Sequence, residues 1–112
     1  MRIRKDEVLS SEDVRLIAGC SDAFAHPTRV EIFRYIYTEN LQRRMVCNKD
    51  LVTEFGYSQA TISQHLKKLV TSGLLDAQSK ETKTYYFVNI AVLGKYLNSI
   101  RKLNSRPDAP AK

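Results

Sequence analysis

The sequence predicts a mainly α-helical fold with a small β-hairpin, an α+β arrangement of about five helices. Three observations carry this. Apolar residues recur at helical spacing in five segments, and Tyr85-Tyr86-Phe87-Val88 is a strand-prone run flanked by polar residues. Between them, a short amphipathic stretch ends at Gly56 and a second begins only two residues later.

The elements follow in order. Residues 1–9 are polar and aperiodic, so a flexible arm is expected over 1–10. Ser10 or Ser11 can cap a first helix over 12–24, with Glu12 and Asp13 suited to its positive first turn and Leu16, Ile17, Cys20 and Phe24 on one face. His26 then starts a second helix with Pro27 at its first position. That helix is expected over 27–38, with Val30, Phe33, Ile36 and Tyr37 at helical spacing and Glu39-Asn40 ending it. In the connector, Met45-Val46 can form a short strand. Asn48 reads as the cap of a third helix over 49–55, which carries Leu51, Val52 and Phe55.

Ser58 reads as the cap of a fourth helix running from Gln59 to about Ser72. Strands are expected over 74–79 and 84–90, joined by a polar turn at Lys80-Glu81-Thr82-Lys83. Leu93, Tyr96, Leu97, Ile100 and Leu103 mark a fifth helix. The Pro/Ala-rich stretch 104–112 reads as a disordered tail, leaving 11–103 as one domain.

Helix, two-residue link, helix and then hairpin describe a winged helix-turn-helix. The fourth helix fits the recognition role. At about 100° per residue, Ile62, Leu66, Leu69 and Val70 share one arc, while Ala60, Gln64, Lys67, Lys68 and Thr71 share the opposite one. The polar arc holds lysines and no acid. Gln59, Thr61, Ser63 and Gln64 supply donors and acceptors of the kind that read base edges. Ser58, His65, Lys67 and Lys68 suit the phosphate backbone, as do Lys80 and Lys83 at the hairpin tip and Arg43 and Arg44 before the third helix. A solvated surface helix and a solvated hairpin tip are the plainer alternatives.

The charge agrees with a polyanionic partner. The formal net charge is +6, and residues 58–88 carry +2 of it while 10–57 carry −1. With 43% hydrophobic and 27% charged residues the chain has a globular composition. Its apolar runs are too short to span a bilayer and the N-terminus lacks a secretory signal, so a cytoplasmic location is expected, with no membrane partner. No metal cluster, nucleophile–base pair or phosphate-binding glycine loop is evident, and an enzyme is not expected.

The residues resemble the ArsR/SmtB family of bacterial winged-helix repressors over roughly 12–100. Ala23-Phe-Ala-His-Pro-Thr-Arg29 is similar to the family's Ala-Leu-Ala-Asp-Pro-Thr-Arg segment, and Ser58-Gln-Ala-Thr-Ile-Ser-Gln-His-Leu-Lys-Lys-Leu69 to its recognition-helix signature. Ser72-Gly-Leu-Leu75 and Tyr85-Tyr-Phe87 fit the way into the wing and its return strand. The resemblance implies a homodimer on an inverted-repeat operator in double-stranded DNA, repressing until an effector of unknown identity releases it. It implies dimer contacts from the first and last helices, here Leu16, Ile17, Leu93, Tyr96, Leu97, Ile100 and Leu103.

The chain departs from the family where metals are bound. Many members use Cys-x-Cys near the third helix, whereas Cys47-Asn48-Lys49 keeps the first cysteine alone. Others use His, Asp and Glu on the last helix, where this chain has none of these. Neither usual metal site is expected, nor any other cofactor. Cys20 and Cys47 leave a thiol-redox alternative open, with nearby basic residues favouring thiolate, although Cys20 also reads as buried packing. A winged-helix protein-interaction module is the remaining alternative.

Overall fold

Ser10, and not Ser11, starts the fold. In the computed structural model, which describes residues 8–104, its hydroxyl accepts from the Asp13 backbone N–H at 3.0 Å. The Asp13 carboxylate in turn accepts from the Ser10 N–H at 2.8 Å, closing a capping box. Most of the expected arm and tail lies outside the described residues.

Helix α1 (Ser11–Ala23) is followed by α2 (Pro27–Leu41), whose start is capped by His26 Nδ1 accepting from the Thr28 N–H at 3.2 Å. Helix α2 runs past the expected end at residue 38. Asn40 lies in its last turn, its amide donating locally to the Arg44 carbonyl at 3.1 Å and accepting from the distant Val88 N–H at 3.0 Å. The chain leaves just beyond, through Arg43 at φ 63°. Ile32, Phe33 and Ile36 form the buried stripe of α2. Val30, expected with them, is 44% exposed, since two residues of helix turn it about 200° away from Ile32.

Strand β1 (Val46–Cys47) leads into α3 (Asn48–Phe55). Cys47 takes the cap position expected of Asn48, its N–H bonded to the Asp50 carboxylate at 2.9 Å. Gly56, at φ 76°, stops α3 with the left-handed turn that only glycine adopts freely. Helix α4 (Gln59–Thr71) is capped as expected by Ser58, whose Oγ accepts from the Thr61 N–H at 3.1 Å.

Strands β2 (Leu75–Lys80) and β3 (Lys83–Val88) form the wing, and α5 (Ile90–Lys102) closes the chain behind an Asn89 cap. Lys80 and Lys83, expected in the turn, are the last ladder pair, so that Glu81-Thr82 alone makes the turn, with Glu81 at φ 58°. The sheet has three antiparallel strands in the order β1-β3-β2: Val46 pairs with Tyr86 and Cys47 with Tyr85. Pairing to β1 ties the start of α3 to the wing.

One core joins Cys20 and Ala23, the α2 stripe, Val46, Leu51, then Ile62, Leu66 and Leu69, then Leu74 and Leu75. Helix α5 lies on α1 through polar anchors. The hydroxyl of buried Ser99 donates to Asp13 Oδ1 at 2.5 Å, Lys102 Nζ meets Asp13 Oδ2 at 3.1 Å, and Tyr96 shares a hydrogen bond with Ser21 at 2.9 Å. The Ser10 backbone N–H, the Ser99 hydroxyl and the Lys102 ammonium hold the Asp13 carboxyl well below the usual carboxylate range. No helix among the described residues is long and apolar enough to cross a membrane.

Candidate nucleic-acid interface

Helix α4 turns Ile62, Leu66 and Leu69 fully inward, and this fixes what it shows to solvent. Gln59, Ser63, Gln64, Lys67 and Lys68 are all exposed. They divide between two concavities. On the wing side, a groove of about 330 Å³ is walled by Gln59 and Ser63 of α4, Asn48 and Lys49 of α3, and Thr82 and Lys83 of the wing tip. On the other side, Gln64, Lys67 and Lys68 border a cleft of about 670 Å³ against α1.

The expected base-reading residues are not equally available. Gln59 and Gln64 are exposed on the first turns of the helix, where side chains reach base edges in a docked major groove. Ser63 is exposed but held, its Oγ accepting from Asn48 Nδ2 at 2.8 Å. Thr61 is half-buried and its hydroxyl accepts from Ser58 Oγ at 3.0 Å, so both belong to the cap of α4. Asn48 also donates to the Gln59 carbonyl at 3.4 Å. It is the residue that sequence reasoning missed: a side chain of α3 that ties the start of α4 in place. The fifteen-residue separation of Asn48 from Ser63 left no local signal.

Of the expected backbone contacts, Lys67, Lys68, Lys80 and Lys83 are exposed. Lys80 and Lys83 stand directly opposite each other across the hairpin. Like charges in that position repel, and a phosphate between them would relieve the repulsion. Arg44 is engaged elsewhere, in an ion pair with Glu39 at 2.9 Å.

His65 is half-buried and faces inward, towards the start of α2. Its ring lies 4.8 Å from that of His26, and Arg29 approaches its Nδ1 at 3.5 Å. Burial, then His26 and Arg29, push the His65 imidazole below its usual pKa. The Arg29 guanidinium also donates to the carbonyls of Ala23 at 2.7 Å and Asp22 at 3.4 Å, at the negative end of α1. Arg29 and His65 thus join the end of α1, the start of α2 and the flank of α4.

The expected dimer face is split. Leu16, Leu93 and Tyr96 pack against the chain's own core, Ile17 and Ile100 are half-buried, and Leu97 and Leu103 stand 57% exposed. Val14 of α1 and Ile90 of α5, which helical spacing did not single out, are exposed to a similar extent.

Both cysteines are free and buried. Burial pushes the Cys20 thiol up, against the thiolate that a redox role needs, and its Sγ rests against the Ser72 carbonyl at 3.9 Å. Cys47 Sγ meets the Asp50 carboxylate at 3.4 Å. Among the described residues, no three His, Cys, Asp or Glu side chains are gathered as metal ligands.

Residues 26–77, from the cap of α2 into the wing, match the family described as bacterial regulatory protein, arsR family. Over that segment the chain is similar to the ArsR family. That family is one of regulatory proteins and not of enzymes. The arsenical resistance operon repressor of Staphylococcus aureus is a relative 32% identical over 60 residues, a match that spans 54% of this chain and 58% of that protein. An ArsR-like transcriptional regulator from Rhodococcus sp. RHA1 superposes with a TM-score of 0.67 at 23% identity, over 79% of this chain and 78% of that one. The homodimeric winged helix-turn-helix DNA-binding domain of a possible ArsR-family regulator from Mycobacterium bovis superposes with a TM-score of 0.65 at 17% identity over the whole of both chains. These likenesses establish a winged helix-turn-helix fold.

Proposed function

We propose that this chain is a homodimeric repressor of the ArsR family that binds double-stranded DNA sequence-specifically at an inverted repeat. Helix α4 enters the major groove, Gln59 and Gln64 read bases, and Ser63, oriented by Asn48, adds a third polar contact. Lys67 and Lys68 hold phosphates beside the helix, and Lys80 and Lys83 hold them under the wing. The Ser58–Thr61 cap keeps the first turn of the helix rigid.

The observation that carries this reading is the outer face of α4, which combines glutamines, a serine and lysines without an acid. A protein-docking face would not need that charge. The second copy rests on the exposed Val14, Ile90, Leu97 and Leu103 of α1 and α5, and on the homodimer described for the Mycobacterium bovis domain. Repression rests on the Staphylococcus aureus relative. With Lys49 where a second Cys-x-Cys thiolate would stand, the chain does not sense metals through that site.

The test is selection of sheared genomic DNA on the purified protein, followed by sequencing. The expected result is enrichment of an inverted repeat with half-sites about one helical turn apart. Uniform, salt-sensitive recovery with no motif would overturn the specific reading.

A further inference from the structure

The cleft between α1 and α4 shares Gln64, Lys67 and Lys68 with the proposed DNA face, and Arg29 and His65 form its inner side. Its volume of about 670 Å³ lies within the usual range of about 300–1,000 Å³ for small-molecule sites. Its lining side chains are polar, so the carbon it exposes is that of Gly19, Thr71 and the stems of Arg29, Gln64, Lys67 and Lys68, and its charged groups are Arg29, Lys67 and Lys68 against Asp22, with His65 beside them. Arg29 is held in place by the Ala23 and Asp22 carbonyls and by His65, so the cationic floor is ordered before anything binds.

Gly19 keeps the cleft open. It lies inside α1, where glycine costs about 1 kcal/mol relative to alanine. A Cβ built there meets no atom within 4 Å, so packing does not call for a glycine. A large side chain at this position would stand in the cleft.

We propose that this cleft binds a small organic anion with an apolar body, and that the bound anion competes with DNA for Lys67, Lys68 and Gln64. The methylene stems of Arg29, Lys67 and Lys68 suit the body and the excess of cations suits the acid group. Inorganic phosphate would leave most of the volume unfilled. The competition rests on the DNA-binding reading above, whereas the site itself does not.

The test uses the full chain and the fluorescent probe 8-anilinonaphthalene-1-sulfonate, with neutral N-phenyl-1-naphthylamine as its uncharged counterpart. Wild type and Gly19→Ala are expected to bind the sulfonate equally. Gly19→Phe should bind it at least about tenfold more weakly while melting no lower, since it exchanges a helix glycine for a better helix former. The neutral counterpart should bind wild type at least about tenfold more weakly than the sulfonate. Saturating sulfonate should raise the apparent Kd for a duplex recovered in the genomic selection by about tenfold in wild type and leave it unmoved in Gly19→Phe. Equal sulfonate binding by wild type and Gly19→Phe would overturn the site, and equal binding of the two probes would overturn its anion preference. Sulfonate bound in the cleft with an unmoved DNA titration would overturn the competition. If wild type binds no DNA even without probe, the DNA reading and the competition fail together, and the Gly19→Phe comparison still decides the site.

Discussion

Replacing Lys67 and Lys68 together by glutamine should change how DNA affinity depends on salt more than it changes what the protein recognises. Each chain offers Lys67, Lys68, Lys80 and Lys83 as exposed cations on the proposed interface. A dimer doubles that set. With a slope of about −0.9 per neutralised phosphate, the full set gives log Kobs against log salt a slope of about −7. The double variant removes half of the contacts and leaves about −3.6. Between about 50 and 200 mM salt, wild type should lose about 20,000-fold in affinity and the variant about 150-fold. Fluorescence anisotropy of a labelled operator across that salt range reads both slopes. The glutamines keep the helix propensity and polarity of the side chains, so α4 should stay folded. An unchanged slope would mean that these lysines do not meet phosphates, and the proposed docking of α4 would fail.

Four further outcomes follow from the same geometry. Gln64→Ala should weaken operator binding by about 1–3 kcal/mol at an unchanged salt slope, and anisotropy on operator and scrambled duplexes separates the two effects. Lys83→Ala should stabilise the free protein by about a few tenths of a kcal/mol in denaturant unfolding, by relieving the repulsion with Lys80, and yet weaken DNA binding. Ser99→Ala removes a buried hydrogen bond to a carboxylate and should cost about 1–2 kcal/mol of stability; a loss near zero would show that α5 is not anchored there. His65 titrates below the ordinary imidazole value of 6.5 in the fold, so as pH falls below that value the unfolded chain takes up the proton first. Stability should therefore be full above about pH 6.5 and fall as pH drops through the folded value, and His65→Asn should flatten the denaturant midpoint over this window. Asp13 acts only at lower pH, below its ordinary 3.8.

Local chemistry made the helix starts and the turn legible. Pro27 at the first position of α2, Ser58 capping α4 and Gly56 ending α3 act over a few residues each, and the structure agrees with all three. The inner face of α4 was legible because three aliphatic residues set its phase. What the sequence hid depends on contacts far along the chain. Nothing near Val46 announces its pairing with Tyr86, and nothing near Asn40 announces its bond to Val88. In α2, apolar residues stand at 30, 32, 33 and 36, and only packing decides that Ile32 goes in and Val30 out. The polar face of α4 was read as one surface, but Asn48 assigns one flank to the wing groove, and Arg29 with His65 assigns the other to α1.

That division gives α1 a position between the two proposed tasks, DNA binding and dimer formation. Along one flank it is fastened to α5 by Asp13–Ser99, Asp13–Lys102 and Ser21–Tyr96. Its end is fastened through Arg29 to His65 of α4. If α1 and α5 carry the dimer contact, the distance between two α4 helices in a dimer is set through this chain of bonds. A half-site spacing of about one DNA turn tolerates little error, so on the proposed reading the bonds of Arg29 are as relevant to operator fit as the two glutamines proposed to read bases. A cleft occupant meets this linkage at Arg29 and His65 as well as the lysines. Competition for the lysines and displacement of α4 would then act in the same direction, and both would release DNA. The two differ in what the lysine variant does. Loss of Lys67 and Lys68 removes the competition but leaves Arg29 and His65 in place. Release that persists in the double variant would therefore locate the control in the α1–α4 linkage, and release that disappears would locate it in the shared cations.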